Sequence, residues 1–265
     1  MLRDITLGQF FPGDSITHRL DARSKLIIVV LYIAALFQAT GWISYLTVTA
    51  ATAVFMILSH IRPKNIFKGL KPMLFIIVLT ALLNLFYTGG REIIPGWHIT
   101  WEGLGKSVQM ILRIVLLITG TFLLTYTTSP IALTDGLEML LSPLKKIKVP
   151  VHEMTIMMSM ALRFIPTLIE ETDKIMSAQK ARGADFETGR LTERAKALLP
   201  ILVPLFVSAF RRADELAVAM ESRCYHGGEG RTRMKVLHFA ARDWIALVLG
   251  VLFLAALIVM KRLGI

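Results

Sequence analysis

Apolar residues occur along this chain in runs that are long enough to cross a membrane. The hydrocarbon core of a bilayer is about 30 Å thick and requires roughly 20 mostly apolar residues in one helix. No charged residue occurs between Lys25 and Arg62, and this run is too long for one helix. Gly41-Trp42 interrupts it, which predicts a tight hairpin of two helices. We therefore expect five spans, at about 26–40, 42–60, 72–87, 104–127 and 244–260.

The basic residues predict the orientation of these spans, because short loops on the cytoplasmic side carry an excess of Lys and Arg. The N-terminal segment and the loop 61–72 carry four basic residues each, whereas the hairpin tip at Gly41 carries none. We therefore expect the N-terminus and the segment 129–243 in the cytoplasm. No cleavable signal peptide is expected, since the residues before the first span are polar.

The segment 129–243 alternates apolar and charged stretches. The apolar stretches 154–162 and 197–210 are each followed by a charged stretch of helical periodicity, at 170–182 and 211–223. Helices of this kind suit a surface that lies partly in lipid and partly against protein. Two further transmembrane hairpins with charged ends are the alternative. Three prolines are expected to break these helices into shorter pieces: Pro166, Pro200 and Pro204.

The composition favours a membrane protein over a nucleic-acid-binding one. Of the 265 residues, 54% are hydrophobic and 18% are charged, and the formal net charge is +11. Soluble domains carry about 25% charged residues, and a nucleic-acid binder needs a dense basic face rather than long uncharged runs. We therefore expect an all-α membrane protein in three parts: 1–128 with the N-terminal segment and four spans, 129–243 with cytoplasmic helices, and 244–265 with the last span.

The two charged stretches resemble each other at a spacing of 41 residues, which places Asp173 on Asp214. Each ends with an Arg between two small residues, in Ala181-Arg182-Gly183 and Ser222-Arg223-Cys224. An Arg in the last helical turn is favoured by the helix dipole, and its planar guanidinium can bind a carboxylate through two hydrogen bonds. A solvated helix cap is the alternative for one such Arg. Two of them in equivalent positions favour a paired docking device.

Two further motifs accompany these triplets, Pro12-Gly13-Asp14-Ser15 near the N-terminus and Ala161-Leu162-Arg163-Phe164-Ile165-Pro166 before the first triplet. Together they resemble the transmembrane T component of energy-coupling factor (ECF) transporters, the EcfT/CbiQ-like family. These transporters import vitamins and metal ions, and ABC-type ATPases drive them. The chain departs from the family pattern in the second triplet, where Ser222 and Cys224 replace Ala and Gly.

The resemblance implies an L-shaped chain, in a prokaryotic plasma membrane, whose residues 129–243 form a cytoplasmic coupling domain. Two long helices of that domain would cross, and each would place its motif Arg in a groove of one ATPase subunit. The implied partners are two ABC-type ATPase subunits, as a homo- or heterodimer, and a substrate-binding S component. The chain itself would be non-catalytic and would transmit ATP-driven motion to the S component. The implied coupling residues are Ala181, Arg182, Gly183, Ser222, Arg223 and Cys224.

Two further arginines are candidates for contacts with partners. Arg113 lies inside the fourth expected span, where a charge is costly and suggests a function. For Arg113, a role in helix packing and a side chain that reaches the interface are the alternatives. Arg163 belongs to the motif before the first triplet.

No residues suggest catalysis, a metal site or a cofactor. The single cysteine excludes multi-cysteine metal sites. The segment 103–107, Gly-Leu-Gly-Lys-Ser, resembles the end of a phosphate-binding loop, but Thr100 stands where that motif requires its first Gly. A self-contained transporter or channel and a membrane-embedded enzyme are the alternative functions.

Overall fold

The computed structural model describes residues 10–90, 100–184, 186, 191–227 and 237–263, and the all-α membrane fold expected from the sequence is confirmed. The described residues include two short 3₁₀-helices, at Lys71–Met73 and Ser142–Ile147. The α-helices of the described residues are α1 (Ala22–Gln38), α2 (Trp42–Ser59), α3 (Pro63–Leu70), α4 (Leu74–Tyr87), α5 (Trp101–Thr127), α6 (Pro130–Leu141), α7 (Val151–Ala181), α8 (Leu191–Glu221) and α9 (Ala241–Arg262).

Four segments of the described chain are helical, long and apolar enough to cross a membrane. They are Trp42–Ser59, Pro63–Tyr87, Trp101–Thr127 and Ala241–Arg262. Three of them contain an expected span, and Trp42–Ser59 covers all but the last residue of the span expected at 42–60. The first expected span falls in α1, which has 17 residues. At 1.5 Å per residue, α1 is about 26 Å long, which is at the short end of the lengths that span a bilayer.

The described helices form two compact units, one of α1 to α6 with α9 and the other of α7 and α8. In the first unit α5 contributes to both apolar clusters. One cluster joins α5 to α1, α2 and α9 and contains Ala35, Leu36, Ala39, Tyr45, Val48, Leu116 and Leu257. The other joins α5 to α3 and α4 and contains Ile61, Ile66, Leu70, Ile77, Leu123 and Tyr126.

The expected hairpin of α1 and α2 packs differently from a simple hairpin. α2 begins four residues after α1 ends, but it packs mainly on α5, while α1 packs mainly on α9 and α5. Gly120 of α5 permits the close approach of α1, because a methyl group there would overlap the ring of Tyr32. The Tyr32 hydroxyl donates a hydrogen bond to the Leu116 carbonyl at 3.0 Å and ties the two helices together.

The expectation that prolines break the helices of the second unit is wrong. α7 and α8 are continuous over 31 residues each, with Pro166 inside α7 and Pro200 and Pro204 inside α8. A proline removes one backbone donor and crowds the preceding turn, but the hydrogen bonds on both sides of it can carry the helix across. Membrane helices tolerate proline where neighbouring groups or a local adjustment of the helix satisfy the freed backbone carbonyl.

Candidate functional site

The C-terminal end of α7 is a Schellman motif that includes the first triplet, Ala181-Arg182-Gly183. The Gly183 N–H donates to the Lys180 carbonyl and the Ala184 N–H donates to the Gln179 carbonyl, both at 3.0 Å. Gly183 has a φ of +87°, a left-handed conformation that glycine adopts without steric cost. Arg182 is therefore the cap residue of α7, immediately before the left-handed residue.

The C-terminal end of α8 has the same geometry at the second triplet. The Cys224 N–H donates to the Glu221 carbonyl at 2.8 Å, and the Tyr225 N–H donates to the Met220 carbonyl at 3.0 Å. Each of these residues lies 41 positions after its counterpart in α7. Arg223 thus occupies in α8 the position that Arg182 occupies in α7, and the spacing seen in the sequence is a repeat of local structure.

The departure from the family pattern at Cys224 preserves this geometry at an energetic cost. Cys224 has a φ of +56°, so it adopts the left-handed conformation that Gly183 adopts in α7. That conformation costs a residue with a Cβ roughly 1–2 kcal/mol. The end of α8 is therefore more strained than the end of α7.

Both triplets are exposed along their whole length, from Ala181 to Gly183 and from Ser222 to Cys224. Among the described residues, no carboxylate forms an ion pair with Arg182 or Arg223. The two arginines are exposed, and each stands at the end of a long helix.

An ion pair joins α7 to α8 about three helical turns before the two triplets. The guanidinium of Arg212 donates to the carboxylate of Glu171, and their side chains are 29% and 24% exposed, so the pair is partly shielded from water. Neither residue belongs to one of the sequence motifs described above. The 41-residue repeat could have indicated this pair, because it makes Glu171 of α7 and Arg212 of α8 equivalent positions of opposite charge.

α8 presents an apolar stripe to its surroundings. Its members recur at intervals of three and four residues, which places them on one face of a helix. They are the exposed side chains of Leu199, Leu202, Val203, Phe206, Val207 and Phe210. A contiguous exposed patch of this kind marks a surface for protein or lipid.

The two other candidate arginines differ in their surroundings. Arg113 donates a hydrogen bond to the Ala39 carbonyl at 3.0 Å, just after the end of α1. Its guanidinium carbon also lies 6.0 Å from the ring centre of Phe37 and 5.8 Å from that of Tyr45. These contacts fit the role in helix packing, and a partner-facing role stays a prediction. Arg163 is exposed on α7.

The N-terminal motif lies beside the junction of α2 and α3. Residues 12–15 line a cavity of about 540 Å³ together with His60, Arg62 and Asn65. The His18 ring holds this segment in place, because its Nδ1 lies 2.6 Å from the Ser15 hydroxyl and its Nε2 lies 3.0 Å from the Phe11 carbonyl oxygen. The motif therefore has a structural role at this end of the first unit.

Two carboxylates fasten the start of α1 to the start of α9. The Asp243 carboxylate is almost fully buried, and it accepts hydrogen bonds from the Asp21 N–H at 2.8 Å and the Ala240 N–H at 2.9 Å. Asp21 in turn caps α1 by accepting from the Arg23 N–H at 2.9 Å. Burial raises the pKa of Asp21, but its hydrogen bonds with Arg23 and the nearby positive charges outweigh this and lower that pKa.

Lys25 adds the end of α5 to this junction. Its ammonium group is buried and donates to the carbonyls of Thr127 at 2.9 Å and His18 at 3.3 Å. The carboxylates of Asp243 and Asp21 lie close enough to the ammonium group to stabilise its positive charge. The junction thus fixes the ends of α1, α5 and α9 relative to one another.

The segment 103–107 belongs to the first turns of α5. The Thr100 hydroxyl accepts a hydrogen bond from the Gly103 N–H at 3.0 Å and begins the helix. Gly103 lies against the backbone of α4, where an added Cβ would come within 3.0 Å of the Leu85 carbonyl oxygen. The absence of a side chain at Gly103 therefore allows α5 to pack closely against α4. Among the residues that the structure describes, no three His, Cys, Asp or Glu side chains could hold a metal ion.

Comparison with known proteins confirms the resemblance inferred from the motifs. Residues 13–236 match the CbiQ family, described as cobalt transport protein. A relative from Ruminiclostridium cellulolyticum is 51% identical over 264 residues, which cover 98% of each chain. One from Clostridium kluyveri is 54% identical over 250 residues, 93% of each chain. One from Bacillus subtilis is 48% identical over 265 residues, 99% of this chain and 100% of the relative.

All three relatives carry the name energy-coupling factor transporter transmembrane protein EcfT. The similarity covers nearly the whole chain, including both triplets and the helices that carry them. The chain therefore belongs to the CbiQ family and is a transmembrane component of the energy-coupling factor transporter type.

Proposed function

We propose that this chain couples two ABC-type ATPase subunits to a substrate-binding S component during the uptake of a vitamin or a metal ion. In this role the chain is non-catalytic, and its partners bind and hydrolyse ATP. The observation that supports the proposal most is the pair of exposed arginines, Arg182 and Arg223, in equivalent Schellman ends on two helices that contact each other.

Two equivalent helix ends suit a partner that presents two related grooves. A dimer of ATPase subunits has this property, whether its subunits are identical or only homologous. Each guanidinium would form charge-assisted hydrogen bonds to carboxylates or carbonyls of one groove. The Schellman motif fixes the direction in which each Arg leaves its helix, so both contacts would have the same geometry.

The helices themselves supply a route for the motion. α7 and α8 are 31 residues long, and a continuous helix moves as a stiff element. Binding and hydrolysis of ATP would change the spacing of the two grooves and therefore the angle between the helices. Rigid-body motion of packed helices about an interface is a common form of conformational switching.

The exposed apolar stripe of α8, residues 199–210, would receive the S component and the inner leaflet of the membrane. Apolar surface of this extent is unstable in water, and a coupling helix has to contact the element that it moves. The excess of basic residues in the N-terminal segment and the loop 61–72 supports a cytoplasmic location for the N-terminus, α7 and α8 in this proposal.

Alanine substitution of the two arginines tests the proposal. Loss of one partner of a buried hydrogen-bonded charge pair costs about 2–5 kcal/mol, so Arg182→Ala and Arg223→Ala should each reduce the yield of ATPase subunits that copurify with the chain. The double variant should lose more, because two separate contacts act with avidity. Substrate binding by the S component should stay intact.

Arg211→Ala is the matched control, because Arg211 is also an exposed arginine of α8 but lies outside the triplet. The control should copurify normally. Full copurification and full uptake by the double variant would show that Arg182 and Arg223 are solvated caps, and the proposed coupling role would then be wrong.

A further inference from the structure

The short helix α3 presents a basic and aromatic face that the coupling role does not use. Lys64, Phe67 and Lys68 of α3 are exposed, and so is Lys71, the residue immediately after α3. The last three lie three, four and seven residues after Lys64. This spacing places them on one side of a helix. The opposite side carries Ile66 and Leu70, which are buried in the apolar cluster with residues of α4 and α5. We call the exposed side the basic face of α3.

The lysines of this face come from a segment of the chain that contains no acidic residue. Arg62 adds a fourth basic residue, and the segment 60–90 contains no Asp or Glu. None of the ion pairs among the described residues involves the basic side chains of this segment, which are those of Arg62, Lys64, Lys68 and Lys71. An external anion is therefore the natural partner of the basic face.

The position of the basic face in the chain indicates the chemical class of the anion that binds it. The basic face ends where α4 begins, and α4 presents exposed apolar side chains such as Leu74, Phe75 and Val78. A boundary between a basic segment and an apolar spanning segment lies at the level of the lipid headgroups. Phe67 is 71% exposed, and an exposed aromatic ring beside lysines suits the interface between headgroups and acyl chains.

We propose that the basic face of α3 binds the headgroups of anionic phospholipids. The three lysines contact lipid phosphates, and Phe67 inserts at the acyl boundary. Clusters of four or more basic residues beside a spanning helix attract anionic lipid, and each one contributes about a fivefold gain in binding. The face thereby anchors the junction of α2, α3 and α4 to the surface of the bilayer.

Native mass spectrometry of the full-length chain in detergent tests the proposal. The probes are a phosphatidylglycerol and a phosphatidylcholine with the same acyl chains. The wild-type chain should retain phosphatidylglycerol in preference, and added salt should weaken this preference, because exposed charges are screened. The triple variant Lys64→Gln/Lys68→Gln/Lys71→Gln should lose at least tenfold in apparent affinity for phosphatidylglycerol.

Two matched variants separate the face from general effects. Lys64→Arg/Lys68→Arg/Lys71→Arg keeps the charge and should bind as the wild type does. Lys106→Gln/Lys174→Gln/Lys196→Gln removes the same charge from exposed lysines that do not share a face, and it should also bind as the wild type does. The salt series on the unmodified chain needs no substitution and tests the idea even if the glutamine variant folds poorly.

Four outcomes would overturn the proposal. The first is a wild-type chain without preference between the two lipids, and the second is an equal loss in the scattered control. The third is competition by millimolar inorganic phosphate at constant ionic strength, which would indicate a site for free phosphate. The fourth is loss of a copurifying protein with lipid binding unchanged, which would indicate an acidic protein partner.

Discussion

Arg212 of α8 pairs with Glu171 of α7, and the two residues are related by the same 41-residue spacing that relates Arg182 to Arg223. Each member of the ion pair precedes its motif arginine by eleven residues, which is about 16 Å along a helix. The two helices therefore contact each other at equivalent positions and carry their arginines at equal distances from that contact.

The first prediction concerns this ion pair. Arg212→Glu places two carboxylates against each other at a partly shielded contact, so it should lower the thermal stability of the assembled transporter and its uptake rate. The double reversal Glu171→Arg/Arg212→Glu should restore most of both, because the attraction returns with the positions exchanged. Removal of a partly exposed pair costs about 1 kcal/mol or less, so simple neutralisation should have a smaller effect.

Thermal melting and substrate uptake of the two variants provide the measurement, with Arg211→Glu as the control for charge reversal at an exposed neighbour. A double reversal that is as impaired as the single one would show that the ion pair does not hold the helices together.

The second prediction concerns the left-handed residues after the motif arginines. Cys224→Gly removes steric strain at the end of α8 and should stabilise the protein by about 1 kcal/mol. Gly183→Ala introduces the same strain at the end of α7 and should destabilise it by a similar amount. Cys224→Ser keeps a Cβ in the left-handed conformation and is the control that should change little. Thermal melting of the purified complex measures the stability of all three variants. A lower melting temperature for Cys224→Gly would contradict the left-handed conformation assigned to residue 224.

The third prediction concerns the contact between α1 and α5. Gly120→Ala places a methyl group in the ring of Tyr32, and such overpacking typically costs 1–3 kcal/mol. Gly105 lies on the same helix, and an added Cβ there would meet nothing closer than a Trp42 carbon at 3.9 Å. Gly105→Ala should therefore be neutral or slightly stabilising. Equal melting temperatures for the two variants would show that α1 and α5 are less closely packed than the structure indicates.

The spanning helices of the first unit were predictable from the sequence because the length of an uncharged apolar run has to match the thickness of the bilayer. Trp42–Ser59 and Trp101–Thr127 match the expected spans closely. The shared geometry of Arg182 and Arg223 was also predictable, since a Schellman motif depends only on residues within a few positions of the cap.

Other features depend on contacts between distant parts of the chain. Arg113 donates to the carbonyl of Ala39, 74 residues away, and this partner follows from the packing of α5 on α1. Asp243 joins α9 to Asp21, which lies 222 residues earlier. The continuity of α7 through Pro166 was missed because local rules weigh the lost hydrogen bond of proline but not the bonds on either side of it.

Alkylation of Cys224 tests the coupling role most directly, because it is the single cysteine of the chain, is exposed, and follows Arg223. The measurement is the rate of maleimide labelling in the intact complex and in the chain without its partners. In a Cys224→Ser background, Thr192→Cys at the start of α8 provides a control position far from the triplet.

If Arg223 enters an ATPase groove, Cys224 should react much more slowly in the complex than in the isolated chain. Arg223→Ala should restore fast labelling, and the control position should react equally in both samples. Equal labelling rates for Cys224 with and without the partners would contradict the account.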